Sequence, residues 1–406
     1  MASRDSTAWY ALGVPAYLLV MGLEHLLARR RGLRLYRFGD TLGNLAAGLG
    51  EVTLGLFLGP LLVALYDWGY THLALVRWPE GSLVPWVLAF TLGDLGYWVY
   101  HRAGHRVAAL WAIHGVHHQS PSFNASVAIR HPWLSDTYAA LFYAPLPLAG
   151  VNATQFFVAI SVISFYAFTV HTQVFHRPGL GLLVTPRTHI VHHAQNPRYR
   201  GKNLGAMFTV WDRLFGTHVE VDPSDPPELT PLGGYRTHDG ALCQLLGWTD
   251  LAALARQTPR WTDKLRVFLK PPGWLPPGAT RPVAPTARED RDIPPAVRGY
   301  ALAQFSAVVL LAVDTLWRRE HHPLAVQLPV AVLTVWGIAS VGALLDGRSH
   351  ARALEGSRLL GLLAAGAWLA LGCGRPWVGA LLALGALGSL GALPSLRGSA
   401  VAPSTA

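Results

Sequence analysis

The sequence predicts an all-α fold, a polytopic membrane helical bundle, and three observations carry that expectation. Hydrophobic residues make up 51% of the chain and charged residues only 14%, against about a quarter charged in an average soluble protein. Apolar runs on the scale of a transmembrane helix, which needs about 20 residues, occur near 9–27, 42–66, 83–100, 135–150, 152–170, 297–316, 324–345, 357–371 and 376–394. A basic cluster, Arg29, Arg30 and Arg31, follows the first run directly.

That cluster gives the topology. It lies after the apolar stretch and no small-residue cleavage site comes next, so the first run stays in the membrane and is not a cleaved signal peptide. Arg29 to Arg31, with Arg34 and Arg37, place the following loop on the cytoplasmic side. Counting from there, run 42–66 goes outward, the loop around Trp78 and Pro79 is external, and run 83–100 returns to deliver His101 to the cytoplasmic end. Runs 135–150 and 152–170, broken by Pro145, Pro147 and Gly150, form a helical hairpin that enters from the cytoplasm and returns to it at His171.

From about 218 to 296 the chain is polar and proline-rich, with DPSDPPEL and KPPGWLPPGATRPVAPT. Within it, 241–270 has helical apolar spacing and either lies on the membrane or covers a site. The four last apolar runs, rich in Leu, Ala and Gly, show no chemistry and read as a scaffold or lipid-facing appendage. The spacing in GALLALGALGSLGAL suits close helix packing.

The net charge of +10 follows from positive-inside topology. No basic stripe interleaved with aromatics marks a nucleic-acid surface, so nucleic acid is not an expected partner. Cys243 and Cys373 are far apart and provide neither a disulfide framework nor a thiolate metal site. Metal chemistry must come from nitrogen and oxygen.

The nitrogen is concentrated. Of eighteen histidines, His101, His105, His114, His117, His118, His131, His171, His176, His189, His192 and His193 lie between 101 and 193. All but His131 fall into HRAGH, HGVHH, HTQVFH and HIVHH, and positions three or four apart share a helix face. Single histidines such as His25, His72, His238 and His350 read as surface or core residues. His101, His105, His114, His117, His118, His171, His189, His192 and His193 are nine candidate ligands, too many for one ion at about three or four each. The expectation is a dinuclear, histidine-rich site on the cytoplasmic face, with each HxxHH string feeding both ions.

What is missing narrows the chemistry. Arg102 and Gly115 stand where an HExxH hydrolase has its glutamate base, and no Glu-x-x-His pair of a soluble di-iron bundle is present. A haem needs one or two axial histidines. An all-nitrogen dinuclear site beside lipid suits oxygen binding and hydrogen abstraction from an unactivated C–H bond. The competing class is a histidine-rich membrane metal transporter or metal-binding protein without oxygenase activity, but transporter sites lie near the midplane on broken helices, whereas these histidines begin where apolar runs end.

The order HxxxH, HxxHH, hairpin, histidine, HxxHH resembles the fatty acid hydroxylase/sterol desaturase superfamily of membrane di-iron enzymes. So do the flanks GDLGYWVYHRAGH, HHQSPSFNASVAIRHPW and HHAQNPRYRGKNLGAMFTVWDRLFGTH, over about 85–220. DKLRVFLKPPGW and the extra C-terminal spans resemble the alkylglycerol monooxygenase-type members, which use tetrahydrobiopterin; Arg106 departs from the glutamate that vertebrate members carry there. The resemblance implies two Fe ions on the nine histidines and an O2-dependent oxidoreductase that hydroxylates or desaturates a membrane lipid. Where the attacked carbon adjoins an ether oxygen, the product is a hemiacetal that breaks down to an aldehyde. It also implies tetrahydrobiopterin or another external electron donor on the cytoplasmic side.

The chain is expected to divide into a membrane-embedded catalytic domain of fatty acid hydroxylase type at 1–217, a cytoplasmic segment at 218–296, and C-terminal transmembrane helices with a tail at 297–406. The composition suits a bacterial inner membrane. His176 and His131 are further metal or second-sphere candidates. Asp94 is placed to accept the free ring N–H of a ligand histidine, or to cap the helix end or pair with Arg102. Asp212 and Arg213 are expected to form an ion pair that holds the last cluster.

Overall fold

The computed structural model describes residues 6–175, 181–229, 236–282, 290–371 and 376–396. Among them are sixteen α-helices and no β-strand, with isolated bridges only at Leu183–Phe208 and Asp222–Asp225. Helices α1 (Ser6–Arg30) and α2 (Phe38–Leu73) open the chain. At 1.5 Å per residue the 36 residues of α2 reach about 54 Å, longer than a hydrocarbon core of about 30 Å. Helices α3 (Val84–Arg106), α4 (Ala108–His114) and α5 (Ala125–Ala128) follow. The hairpin comprises α6 (Ser135–Tyr143), α7 (Pro145–Leu148) and α8 (Ala153–Thr169).

The hairpin runs the depth of the bundle. Its tip packs on the end of α2 and the loop beyond: Leu75 N donates to Leu148 O at 2.9 Å, Trp78 Nε1 to Ala149 O at 2.9 Å and Tyr66 Oη to Val151 O at 3.1 Å. Gly150 takes φ +79° there, and a Cβ on it would stand 2.4 Å from Val76 O. The return leg starts at a capping box, with Gln155 N donating to Asn152 Oδ1 and Asn152 N to Gln155 Oε1. The chain thus leaves the histidine end and comes back to it, as expected, with the outbound leg broken at Pro145.

Helices α9 (Pro186–His192), α10 (Val210–Leu214), α11 (Cys243–Gln257) and α12 (Trp261–Leu269) belong to the histidine end. The 241–270 stretch is helical, as its periodicity predicts, and Leu251, Leu254 and Val267 pack on Ala108 and Ala112 of α4.

Four long helices close the chain: α13 (Pro295–Trp317), α14 (Leu324–Asp346), α15 (Ala351–Leu371) and α16 (Pro376–Ala392). Among the described residues, five helices are long and apolar enough to cross a membrane: α2, α13, α14, α15 and α16 with its following turn to Leu396. The runs at 9–27, 83–100 and 152–170 form α1, α3 and α8, which are not among the five; α8 has 17 residues, and α3 ends on the polar HRAGHR. Run 135–150 is two short helices.

The C-terminal helices are not an appendage. Leu42 and Ala46 of α2 share a core with Val297, Ala301, Ile338, Val341 and Leu345. Of the small residues, Gly379 makes the close crossing: a Cβ there would stand 2.3 Å from Gly366 O on α15. The four helices also hold polar chemistry that their composition hid. Glu355 and Arg358 are buried, with Arg358 Nε donating to Glu355 Oε2 at 2.7 Å. Tyr300 and Ser340 hydroxyls donate to the same carboxylate at 2.7 and 2.6 Å, and Arg358 Nη2 donates to Gln304 Oε1 at 2.5 Å. Buried away from water, these groups satisfy each other. Glu355→Ala leaves a buried guanidinium without its counter-charge and should cost about 3–5 kcal/mol. Thermal unfolding in detergent should show a larger loss for it than for Glu355→Leu combined with Arg358→Leu.

Candidate metal centre

The last two turns of α3 project His101 and His105 from one face, and α4 ends on His114. A 3-10 turn, His117–Gln119, carries His117 and His118. His171 follows the C-terminus of α8. Thr185 and Thr188 cap α9 reciprocally around Pro186, and the helix presents His189 and His192 with His193 at its C-cap. The nine form two groups: His101, His105, His114, His118 and His192 in one, His117, His171, His189 and His193 in the other, each with its nitrogens within 4.8 Å of one another. The groups abut, with ring centroids of His118 and His193 4.6 Å apart. Neighbours His117 and His118 go to opposite groups, as do His192 and His193.

Four of the rings are held by main-chain carbonyls. His101 Nδ1 donates to Leu204 O at 2.7 Å, His171 Nδ1 to Ala167 O at 2.8 Å, His192 Nδ1 to Lys202 O at 3.0 Å and His117 Nδ1 to Arg130 O at 3.2 Å. Each bond fixes the tautomer and leaves Nε2 a bare lone pair. Yet His117 Nε2 and His171 Nε2 stand 3.1 Å apart, with no proton left to share. His189 Nε2 approaches His171 Nε2 at 3.0 Å, and His118 Nε2 lies 3.1 Å from His114 Nε2 and 3.2 Å from His192 Nε2.

Facing lone pairs repel unless a cation lies between them. Nitrogens held about 2.1 Å from one ion at right angles stand about 3.0 Å apart. His101 Nε2, His105 Nε2 and His193 Nε2 are buried without a partner as well, where buried polar atoms are normally paired. The donor set fits metal ions, and its neutral imidazoles with no carboxylate suit iron, zinc or copper.

Burial, reinforced by neighbouring imidazoles, holds His114, His117, His118, His189 and His193 well below the usual histidine range. Burial pushes His192 down to about 4 and His171 to about 3. All seven are therefore in the ligand form at neutral pH.

Two carboxylates flank the centre differently from expectation. Asp212 is buried and forms no ion pair with Arg213. Its Oδ1 accepts from Trp98 Nε1 at 3.0 Å, Leu204 N at 2.9 Å and Thr217 Oγ1 at 2.6 Å, and its Oδ2 from Gly205 N at 2.8 Å. It thereby fixes the Leu204 peptide that holds His101. Arg213 donates to Gly181 O instead.

Asp94 bonds no ligand histidine and no Arg102. It accepts from Met207 N at 3.0 Å, Phe208 N at 3.3 Å and Trp211 Nε1 at 2.9 Å, while Arg102 lies over the Trp98 ring. His131 belongs to neither group: its side chain is 48% exposed, and Nδ1 is 3.6 Å from Glu51 Oε1. His176 lies outside the described residues.

Sequence reasoning missed two supports. Arg130, fully buried, donates to Val116 O at 2.8 Å and to Asn44 Oδ1 and Gln119 Oε1 at 3.2 Å, locking the HGVHH turn while its carbonyl holds His117. Asn203, with φ 50°, donates to Thr188 O at 2.8 Å and Val219 O at 2.7 Å, tying the 199–219 segment to α9. Neither periodicity nor spacing signals a lone buried arginine or a left-handed asparagine.

The fatty acid hydroxylase family model matches residues 86–217, which contain all nine histidines. The alkylglycerol monooxygenase of Danio rerio is 30% identical over 339 residues, 79% of this chain and 73% of that protein. The chain belongs to the fatty acid hydroxylase family. The alkylglycerol monooxygenase of Homo sapiens is 28% identical over 362 residues, 85% of this chain and 80% of that protein. The ornithine lipid hydroxylase of Rhizobium tropici is 29% identical over 202 residues, 46% of this chain and 60% of that protein. No solved structure matches the chain. This member of the fatty acid hydroxylase family is an oxygen-dependent oxidoreductase and a multi-pass integral membrane protein.

Two consequences are measurable. Replacing Asp212 by Ala strands the Leu204, Gly205 and Trp98 N–H groups, at about 1–3 kcal/mol for each one left unpaired, and frees the His101 ring; metal content and melting temperature should both fall. The depressed histidines also make the metal-free protein acid-sensitive. Unfolded histidines take up protons below about pH 6.5, whereas His192 and His171 in the fold wait until about 4 and 3. The unfolded state binds more protons across that window, so stability should fall steadily as pH drops through it. Equal melting temperatures of metal-free protein at pH 7.5 and 5.0 would contradict this.

Proposed function

We propose that this chain is a di-iron lipid monooxygenase that cleaves alkyl ethers by hydroxylating the carbon next to the ether oxygen. The observation that carries the reading is the pair of lone-pair-facing imidazole groups, free of any carboxylate, at the end of an apolar bundle. The relatives named alkylglycerol monooxygenase support the substrate class. His101, His105, His114, His118 and His192 would hold one iron, and His117, His171, His189 and His193 the other. Iron bound there supplies reductive activation of O2 and removal of hydrogen from an unactivated carbon. One oxygen atom enters the lipid, and the other leaves as water with two electrons and two protons from an external donor, tetrahydrobiopterin or another. The resulting hemiacetal breaks its C–O bond to give an aldehyde and a free glycerol hydroxyl.

The protein's own part is to exclude water and orient the rings. Phe123 is fully buried, with its ring 5.1 Å from His193 and 5.6 Å from His171. Trp111 lies 4.9 Å from His105 and 5.4 Å from His118. His131, exposed and beside Glu51, is suited to meet the polar end of the lipid. The basic Arg29 to Arg31 loop at the histidine end supports a cytoplasmic active site, with the donor arriving there, and the composition supports a bacterial inner membrane. In this reading residues 1–217 form the catalytic domain, 218–296 a cytoplasmic segment and 297–406 the C-terminal membrane helices.

Purified protein should contain two irons per chain and consume O2 with an alkylglycerol and a reduced pterin or ferredoxin, releasing a fatty aldehyde. One zinc per chain and no oxygen uptake would overturn the reading. His117→Ala should lose metal and turnover together.

A further inference from the structure

Helix α12 turns its apolar face outward. Trp261, Leu265 and Leu269, four residues apart, are 70%, 53% and 67% exposed, while Asp263 and Val267 on the opposite face are buried. At 100° per residue the three apolar side chains occupy an arc of about 80°, with Lys264 on one side of it and Arg266 on the other. The stretch 256–270 carries five basic residues, Arg256, Arg260, Lys264, Arg266 and Lys270, against one acid, Asp263, which faces inward and takes Arg266 Nη1 at 2.9 Å. An apolar stripe edged by cations complements an anionic lipid surface.

The position agrees. Val267 packs on Ala108 and Ala112 of α4, and Ala108 N donates to Lys270 O at 3.0 Å. Helix α4 starts two residues after α3, whose apolar run ends at Tyr100, so α12 sits beside the point where the apolar part of α3 gives way to the polar HRAGHR. We propose that α12 is an interfacial helix, with Trp261, Leu265 and Leu269 sunk into the leaflet at the histidine end and Arg256, Arg260 and Lys264 on anionic headgroups. Its hold on α4 then anchors His114 to the membrane surface.

This inference is independent of which metal the histidines bind, and its test needs no turnover. A nitroxide is placed at Leu265→Cys in a Cys373→Ser background, Cys243 being buried, and the protein is reconstituted in phosphatidylcholine–phosphatidylglycerol vesicles. The label should be more accessible to O2 than to a water-soluble nickel chelate, and a control label at Glu220→Cys, 60% exposed, the reverse. Nickel accessibility at 265 overturns the proposal, as does protection from both reagents, which would mean a protein contact. The melting temperature should be higher in phosphatidylglycerol than in phosphatidylcholine vesicles, and combined Arg256→Gln, Arg260→Gln and Lys264→Gln should abolish that difference. Equal melting temperatures for the unaltered protein in the two lipids overturn the headgroup assignment.

Discussion

The structure depends on keeping a crowd of imidazoles neutral, buried and correctly turned. A ring can offer a lone pair only if its other nitrogen holds the proton, and main-chain carbonyls settle this for His101, His117, His171 and His192. Those carbonyls belong to Leu204, Arg130, Ala167 and Lys202. The non-helical backbone on either side of the centre must therefore be placed as accurately as the helices. Asp212 does this for Leu204, Asn203 for its own segment against α9, and the Arg130 guanidinium for the turn after α4.

Helix α2 joins the two halves of the molecule. Its Asn44 receives Arg130 at the histidine end, and its Leu42 and Ala46 enter the core shared with α13 and α14. The segment 237–240 is clamped in the same place: Gly240 fits against Ala46 and Ala47, and His238 N donates to Asp346 at the end of α14. The C-terminal helices thus buttress the wall on which the histidine centre is built, and their buried Glu355–Arg358 network shows the same rule as that centre. Where water is excluded, a polar group persists only with a partner fixed by the fold.

Some of this was legible in the chain and some was not, for a definite reason. HxxxH and HxxHH spacings follow from helix geometry, so the nine histidines could be gathered from the sequence, and span counting brought HGVHH and HIVHH to one end across the hairpin. The roles of Asp94 and Asp212 could not be read. Proximity in sequence points Asp94 to a histidine and Asp212 to Arg213, while their actual partners are main-chain amides and indoles, including Trp98 and Trp211. Arg130 is buried while its neighbour His131 is exposed, and nothing in composition marks which of two neighbouring basic residues points inward.

The sequence by itself determined the membrane class, the all-α fold, the hairpin and the gathering of the nine histidines, because each rests on a local period or on the length of an apolar run. Only the tertiary structure decided how the nine rings divide into groups of five and four, which carbonyl orients each, and that α12 faces outward with its apolar stripe. These depend on segments far apart in the chain meeting at distances of about 3 Å, and a hydrogen bond with that tolerance has no counterpart in residue spacing.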